Sequence, residues 1–92
     1  MLVGGMQSSW LIDSSCSRHM TGDRKWFSSL TPVMNKEYIN FGDIGKGRVL
    51  SEGVVQVSYN FQLKRIALVK SLGFNLLSVS RLLYEDRWMV TP

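Results

Sequence analysis

Short strand-like segments separated by glycine and polar turns are the feature that most limits the fold of this chain. The first is the apolar run Trp10-Leu11-Ile12, which ends at Asp13-Ser14-Ser15 and predicts a buried strand leading into a tight polar loop. Residues 17–32 are mixed and polar, and we interpret them as a loop with a turn of helix near Trp26. A further apolar run, 66–69, is flanked by charges and ends at a glycine turn.

The segment 38–59 predicts a β-hairpin with a glycine-rich tip. Residues 38–41 alternate between apolar and polar side chains in the manner of a strand, and strand character resumes at Arg48. Gly53 interrupts the second strand and is typical of a β-bulge. The glycines that mark the turn between the strands are Gly42, Gly45 and Gly47.

A short helix is predicted near the C-terminus. Asn75 is a suitable N-cap, and apolar residues recur at helical spacing over 76–83. The charged residues 85–87 end this helix, and 88–90 predicts a terminal strand. The expected fold class is therefore mainly β with one short C-terminal helix.

The length allows one domain, residues 1–92, with a core over about 9–90. Apolar residues make up 45% and charged residues 20%, which is ordinary globular composition. A domain this small buries only roughly 60–65% of its unfolded surface, so its stability is marginal. Association with a second copy would compensate for the small core.

Composition also argues against several classes of function. No apolar run approaches the roughly 20 residues of a membrane span, and no signal peptide is visible. The single cysteine, Cys16, cannot form an internal disulfide, which predicts a reducing compartment. The net charge is +4, but basic residues are scattered among acidic ones, which predicts no specific nucleic-acid binding. A basic nucleic-acid-binding barrel is the weakest alternative.

Asp13 is the residue with the clearest chemical meaning. A carboxylate at the end of a buried strand must be held by loop amides, face a partner charge, or be protonated. Two such carboxylates facing each other share a proton, so one oxygen activates water and another supplies an acid, as in aspartic peptidases. This chemistry needs no cofactor. Taken alone, Asp13-Ser14-Ser15 is more typical of a loop-capping turn.

A second aspartate in the same setting is absent from the sequence. The remaining aspartates lie in polar, turn-like contexts: Asp23, Asp43 and Asp86. An aspartic peptidase built on Asp13 would therefore take its partner from another chain. The consequence is a symmetric homodimer with the site on the two-fold axis.

A longer string around Asp13 resembles the protease segment of copia-type retrotransposon polyproteins from plants. The string runs from Trp10 to Gly22 and reads WLIDSSCSRHMTG, which is similar to the family pattern W-x-x-D-S-G-C-S-x-H-M-T-G. Further segments resemble that family in the same order: 26–30, 41–47 and 74–82. The resemblance spans nearly the whole chain.

The resemblance implies a retropepsin-like aspartic protease, a small closed barrel or sandwich with a flap hairpin. Composition and periodicity alone fit a small barrel, a Tudor-like module or a retropepsin equally well. The resemblance implies that Asp13 is the catalytic aspartate and that Ser14 stabilises the paired active-site loops across the dimer. The implied flap and substrate-binding residues are Phe41, Gly42, Asp43, Ile44, Gly45, Lys46 and Gly47. The implied supporting motif beneath the active-site loop is Leu76, Leu77 and Ser78.

The same resemblance implies partners and a setting. The partners would be a second copy of the chain and a polypeptide substrate, the Gag-Pol-like polyprotein. The setting would be the cytoplasm, within the virus-like particle of the element.

Ser15 departs from the family pattern, because most members have glycine at this position. If the loop required a positive φ, serine would cost about 1 kcal/mol or more. Its added atoms would also crowd the facing aspartate. The alternative function is therefore a catalytically inactive retropepsin-like module retained for protein–protein interaction.

Cys16 and His19 have the C-x-x-H spacing seen in zinc sites and thiol peptidases. Two ligands are too few for a structural zinc site, and no third group orients a thiol–imidazole pair. We therefore expect no metal, and we expect Cys16 to pack beside the active-site strand.

Overall fold

The computed structural model describes residues 10–40 and 45–85, which form a seven-stranded sheet. This confirms the predicted mainly-β class. The strand order is β1-β7-β2-β6-β5-β3, with β4 paired to β5 outside that path. The strands are β1 (Trp10–Asp13), β2 (Met20–Thr21), β3 (Phe27–Pro32), β4 (Tyr38–Asn40), β5 (Lys46–Ser58), β6 (Phe61–Val69) and β7 (Asn75–Ser78), and the helical segments are a 3-10 helix (Arg24–Trp26) and a π-helical segment (Arg81–Glu85).

Strand β6 lies at the centre of the core. It pairs antiparallel with β5 and parallel with β2. Its last four residues, 66–69, are all buried, as expected for a strand covered on both faces. One apolar cluster contains Ile66 and Leu77, and a second contains Ala67 and Val69.

The pairing of β1 with β7 positions the candidate aspartate. The two strands are parallel, with Trp10 beside Asn75 and Asp13 beside Ser78. Trp10 is buried and meets the Trp26 ring edge-on at 5.5 Å between centroids, which anchors the start of β1 against the 3-10 helix. Asp13 therefore leaves the core at a fixed point, at the end of an anchored strand.

The predicted helix is wrong over residues 75–78 and correct only further along the chain. Asn75–Ser78 is strand β7, and helical residues begin at Val79. All four residues of β7 are buried, and its leucines Leu76 and Leu77 belong to different apolar clusters, so both faces of the strand are covered. A short continuous apolar run does not distinguish a buried strand from a helix, and the pairing with two neighbouring strands decides it.

The predicted loop over 17–32 is also partly wrong, because it contains β2 and β3. Strand β3 is antiparallel to β5 and lies last in the strand order of the sheet. Its polar sequence, FSSLTP, has no apolar alternation, and a proline at its end is acceptable on an edge strand. The predicted turn of helix near Trp26 is confirmed as the 3-10 helix, where Asp23 accepts a hydrogen bond from the Lys25 amide at 3.0 Å.

The predicted hairpin over 38–59 is confirmed in its two strands. Strands β4 and β5 are antiparallel, with Tyr38 beside Arg48 and Asn40 beside Lys46. The predicted bulge is confirmed by a shift of register after Gly53. The tip residues 41–44 lie outside the described residues, as does the predicted terminal strand 88–90. Within the described ranges, no helix is long and apolar enough to cross a membrane.

Candidate active site

The Asp13 carboxylate is accessible at the end of β1 and is held by the residue two positions later. Its Oδ1 atom accepts hydrogen bonds from the Ser15 hydroxyl at 2.7 Å and from the Ser15 amide at 2.8 Å. The hydroxyl and, to a smaller extent, the amide lower the pKa of Asp13, since both stabilise the ionised form. These hydrogen bonds therefore favour the ionised form of Asp13.

Ser15 fits the loop without backbone strain. The non-glycine residues with positive φ in the described part of the chain are Arg65 and Ser71, so Ser15 does not occupy the left-handed region. The cost expected for a positive φ at this position does not arise. Compared with glycine, serine adds a hydroxyl that donates a hydrogen bond to Oδ1 of Asp13. The neighbouring Ser14 side chain is exposed.

Ser78 holds the loop that follows Asp13. Its side chain is fully buried, and its hydroxyl donates to the Cys16 carbonyl at 2.7 Å. Its amide donates to Nδ1 of His19 at 2.9 Å. The implied supporting motif thus lies directly beside the loop, with Leu77 paired to Ile12 on β1. A glycine at position 78 could not make the hydroxyl contact, so serine gives this loop an attachment of its own.

The implied flap residues are only partly described. Phe41, Gly42, Asp43 and Ile44 lie outside the described residues. Gly45 has a φ of 120°, a conformation that favours glycine. Lys46 and Gly47 begin β5, where Lys46 is exposed and Gly47 is buried. The structure therefore describes the base of the hairpin, and the implied contacts of its tip with substrate stay predictions.

Arg18 is a residue of this region that sequence reasoning missed. Its guanidinium donates to Glu37 at 2.8 Å and to Glu52 at 2.7 Å. The two contacts join the Asp13 loop to the segment before β4 and to strand β5. Partly exposed ion pairs contribute at most about 1 kcal/mol each, so their main effect is to orient the hairpin. Nothing in the local sequence signals this bridge, because the partners are far apart along the chain.

Cys16 and His19 each make hydrogen bonds within the loop region. The Cys16 thiol donates to the Arg18 carbonyl at 3.0 Å, and burial raises the pKa of Cys16, which disfavours a thiolate. His19 uses Nδ1 to accept the Ser78 amide. Over the described ranges, no cluster of three or more His, Cys, Asp or Glu side chains is suited to a metal ion.

Two further polar contacts were not foreseen. Asn75, predicted as an N-cap, instead accepts a hydrogen bond from the Thr21 hydroxyl through its side-chain oxygen. Arg81 is buried and donates to the carbonyls of Lys64 and Arg65 at 2.9 and 3.2 Å. These contacts tie β7 and the segment after it to β2 and β6, so the strand beside Asp13 is fixed on both sides.

Comparison with known proteins identifies the family. The family model for the Pol polyprotein beta-barrel domain matches residues 10–87. The chain belongs to this family. The match runs from the first residue of β1 through the π-helical segment, so it includes Asp13, its loop and the Ser78 contacts. Membership of the Pol polyprotein beta-barrel family agrees with the mainly-β architecture of the described residues.

A relative in yeast is a transposon protein. The chain is 35% identical over 72 residues to a transposon Ty5-1 protein of Saccharomyces cerevisiae. The alignment covers 78% of this chain and 48% of the relative, so the chain spans about half the length of the curated relative. No solved structure matches the chain. The two matches together support the Pol region of a retrotransposon as the source of this domain.

Proposed function

We propose that this domain is an aspartic endopeptidase that processes its own Gag-Pol-like polyprotein, with Asp13 contributed by each chain of a homodimer. The observation that carries the proposal is the accessible Asp13 carboxylate at the end of β1, on a loop attached to β7 through Ser78. Membership of a Pol polyprotein family and the copia-type string around Asp13 support it.

In the proposed mechanism, the facing Asp13 carboxyls share one proton. The ionised carboxyl removes a proton from water, and the water oxygen bonds to the peptide carbonyl carbon. The protonated carboxyl donates its proton to the carbonyl oxygen, which gives a neutral tetrahedral diol. The diol collapses as a proton passes to the nitrogen and the C–N bond breaks, and the products are a carboxylic acid and an amine.

The proposed substrate is an extended segment of polypeptide. It would lie between the Asp13 loops and the hairpin built from β4 and β5, bound largely by backbone hydrogen bonds. Ser14, whose side chain is exposed, would stabilise the partner loop across the two-fold axis. We place this activity in the virus-like particle of the element, in the cytoplasm.

The competing function is a catalytically inactive module retained for protein–protein interaction. Ser15 favours it, because its hydroxyl occupies an Asp13 oxygen and stabilises the charged form. An aspartate pair needs one protonated member, and the Ser15 hydroxyl makes that member harder to protonate because it lowers the pKa of Asp13. Removal of the Ser15 hydroxyl therefore distinguishes the two functions, because it should change the pH dependence of cleavage only if the domain is a peptidase.

Replacement of Ser15 by glycine is expected to raise the pKa of Asp13 toward its ordinary value. The hydroxyl bond disappears while the amide bond stays. Since activity is lost when the shared proton leaves, the alkaline limb of the pH–rate profile should move to higher pH. The rate of cleavage of a polyprotein precursor, measured as a function of pH, reports this limb.

Ser15→Ala is the matched control, because it removes the hydroxyl and keeps the Cβ atom. If both variants shift the alkaline limb, the hydroxyl is the cause. If only Ser15→Gly cleaves, crowding by the Cβ atom is the cause. An unchanged limb in both variants contradicts the assigned effect of the hydroxyl, and no cleavage by any of the three proteins favours the interaction module.

The shared site also predicts a dimer. Sedimentation at increasing protein concentration should give a chain pair, and a peptide-like statine inhibitor should increase the dimer fraction by binding across the two-fold axis. A chain that stays monomeric at high concentration, with inhibitor present, would contradict a site made from two Asp13 residues.

A further inference from the structure

His19 and Ser78 form a buried contact that the proposed chemistry does not use directly. Both residues are fully buried, and the Ser78 amide donates to Nδ1 of His19 at 2.9 Å. An imidazole nitrogen that accepts a hydrogen bond carries no proton. The imidazole is therefore neutral, with its proton on Nε2.

The Asp13 loop, residues 13–19, contacts Ser78 at three points along the loop. The loop leaves β1 at Asp13, which pairs with Ser78. It is held midway, where the Ser78 hydroxyl donates to the Cys16 carbonyl. It returns at His19, whose side chain accepts the Ser78 amide and whose carbonyl accepts the Ala67 amide at 3.0 Å. His19 thus closes the loop on the residue beside which it began.

We propose that neutral His19 is a positioning residue that fixes the Asp13 loop against β7, and that protonation of His19 releases this loop. The release would set an acid limit to the activity. The link to catalysis rests on the proposed function, whereas the attachment itself depends only on the contacts of Ser78.

Protonation would turn the acceptor at Nδ1 into a donor that faces the Ser78 N–H group. Two facing donors in a buried position lose a hydrogen bond and leave a polar group unsatisfied. Histidine ordinarily titrates near pH 6.5. Because the folded loop binds the neutral imidazole, the stability from this contact is present above that pH and is lost as the pH falls below it.

The charged side chains of β1, of the Asp13 loop and of β6 are mainly basic. Strand β7 carries no titratable side chain. The Asp13 carboxylate is already hydrogen-bonded to Ser15, and the Cys16 thiol is disfavoured as a thiolate. The cations on the loop, on β6 and after β7 are Arg18, Lys64, Arg65 and Arg81.

The test compares the full chain with His19→Asn and His19→Leu. Asparagine offers an amide oxygen near the position of Nδ1 and does not titrate, whereas leucine removes the acceptor. Protection of the Ser78 amide from hydrogen exchange, measured by NMR at pH 7.5 and pH 5 (about one unit or more on either side of the ordinary histidine value), reports the contact without any need for activity.

In the wild-type chain, the Ser78 protection factor is expected to fall at least about tenfold from the higher to the lower pH. It should stay constant in His19→Asn and be low at both values in His19→Leu. Precursor cleavage should follow, with the acid limb moved to lower pH in His19→Asn. Equal protection at both pH values in the wild-type chain would overturn the proposal, and so would a fall of the same size in folded His19→Asn.

The exchange and cleavage measurements separate the two proposals. If the Ser78 amide exchanges as expected but the chain cleaves no precursor, the attachment of the loop through His19 is retained. The catalytic role of that attachment and the proposed function are then both overturned. Cleavage with an acid limb that is the same in the wild-type chain and in His19→Asn would retain the proposed function and overturn the role of His19.

Discussion

Asp13→Asn is expected to abolish precursor cleavage while the domain stays folded. An amide cannot share or transfer the proton on which the mechanism depends, and loss of a general acid–base group typically costs about 10²–10⁴-fold in rate. The fold should persist because the side chain is accessible and an amide oxygen can still accept the bonds from Ser15. Cleavage rate and circular dichroism measured on the same preparation check both parts.

Asp23→Asn is the matched control for this substitution. Asp23 is also a surface carboxylate two residues before its hydrogen-bond donor, the Lys25 amide. Its amide variant should cleave at close to the wild-type rate. Residual cleavage by Asp13→Asn equal to that of Asp23→Asn would contradict the assignment of Asp13.

The same variant tests whether the site is shared between chains. If each active site needs Asp13 from two chains, mixed dimers are inactive. An equal mixture of wild-type and Asp13→Asn chains, after exchange of subunits, should then keep about one quarter of the activity of an all-wild-type sample at the same total concentration. Retention of about one half would instead indicate that each chain acts alone.

Gly22→Ala is expected to prevent stable folding. A Cβ atom at Gly22 would lie 2.0 Å from the Leu72 carbonyl oxygen and 2.9 Å from its carbonyl carbon. Both are backbone atoms, so the clash is relieved only by moving β2 or the turn before β7. A loss of about 4–5 kcal/mol or more is expected, which is comparable with the whole stability of a small domain. Urea unfolding followed by circular dichroism measures it.

Gly73→Ala is the control, since Gly73 is the residue after Leu72, in the turn against which Gly22 packs. A Cβ atom at Gly73 would meet nothing within 4 Å. Its free energy of unfolding should stay within about 0.5 kcal/mol of the wild-type value. If Gly22→Ala unfolds at the same urea concentration as Gly73→Ala, the close approach of β2 to the Leu72 backbone is refuted.

Local sequence was enough to predict the strands whose apolar pattern or turn residues lie within the strand itself. The apolar run before Asp13 is strand β1, and the alternating segments on either side of the glycine turn are β4 and β5. The bulge after Gly53 follows from a residue that lacks a side chain to pack. Each of these patterns has a period or a turn residue that is typical of a strand and not of a helix.

Strands β3 and β7 could not be predicted from local sequence. Strand β3 is polar and is defined by its pairing with β5. Strand β7 is covered on both faces, since Leu76 and Leu77 belong to different apolar clusters. The first lacks a strand signal, and the second carries a signal shared with a helix. In both, hydrogen bonds to strands distant along the chain determine the conformation.

The sequence by itself determined the β class, the position of Asp13 at a strand end and the family resemblance that makes Asp13 a candidate catalytic residue. The tertiary structure alone decided what holds Asp13 in place. Ser78 reaches Cys16 and His19, and Arg18 reaches two glutamates, across separations of 19 residues or more that no local pattern encodes. Buried polar groups must find partners wherever the fold brings them, and only the packed chain shows which partners those are.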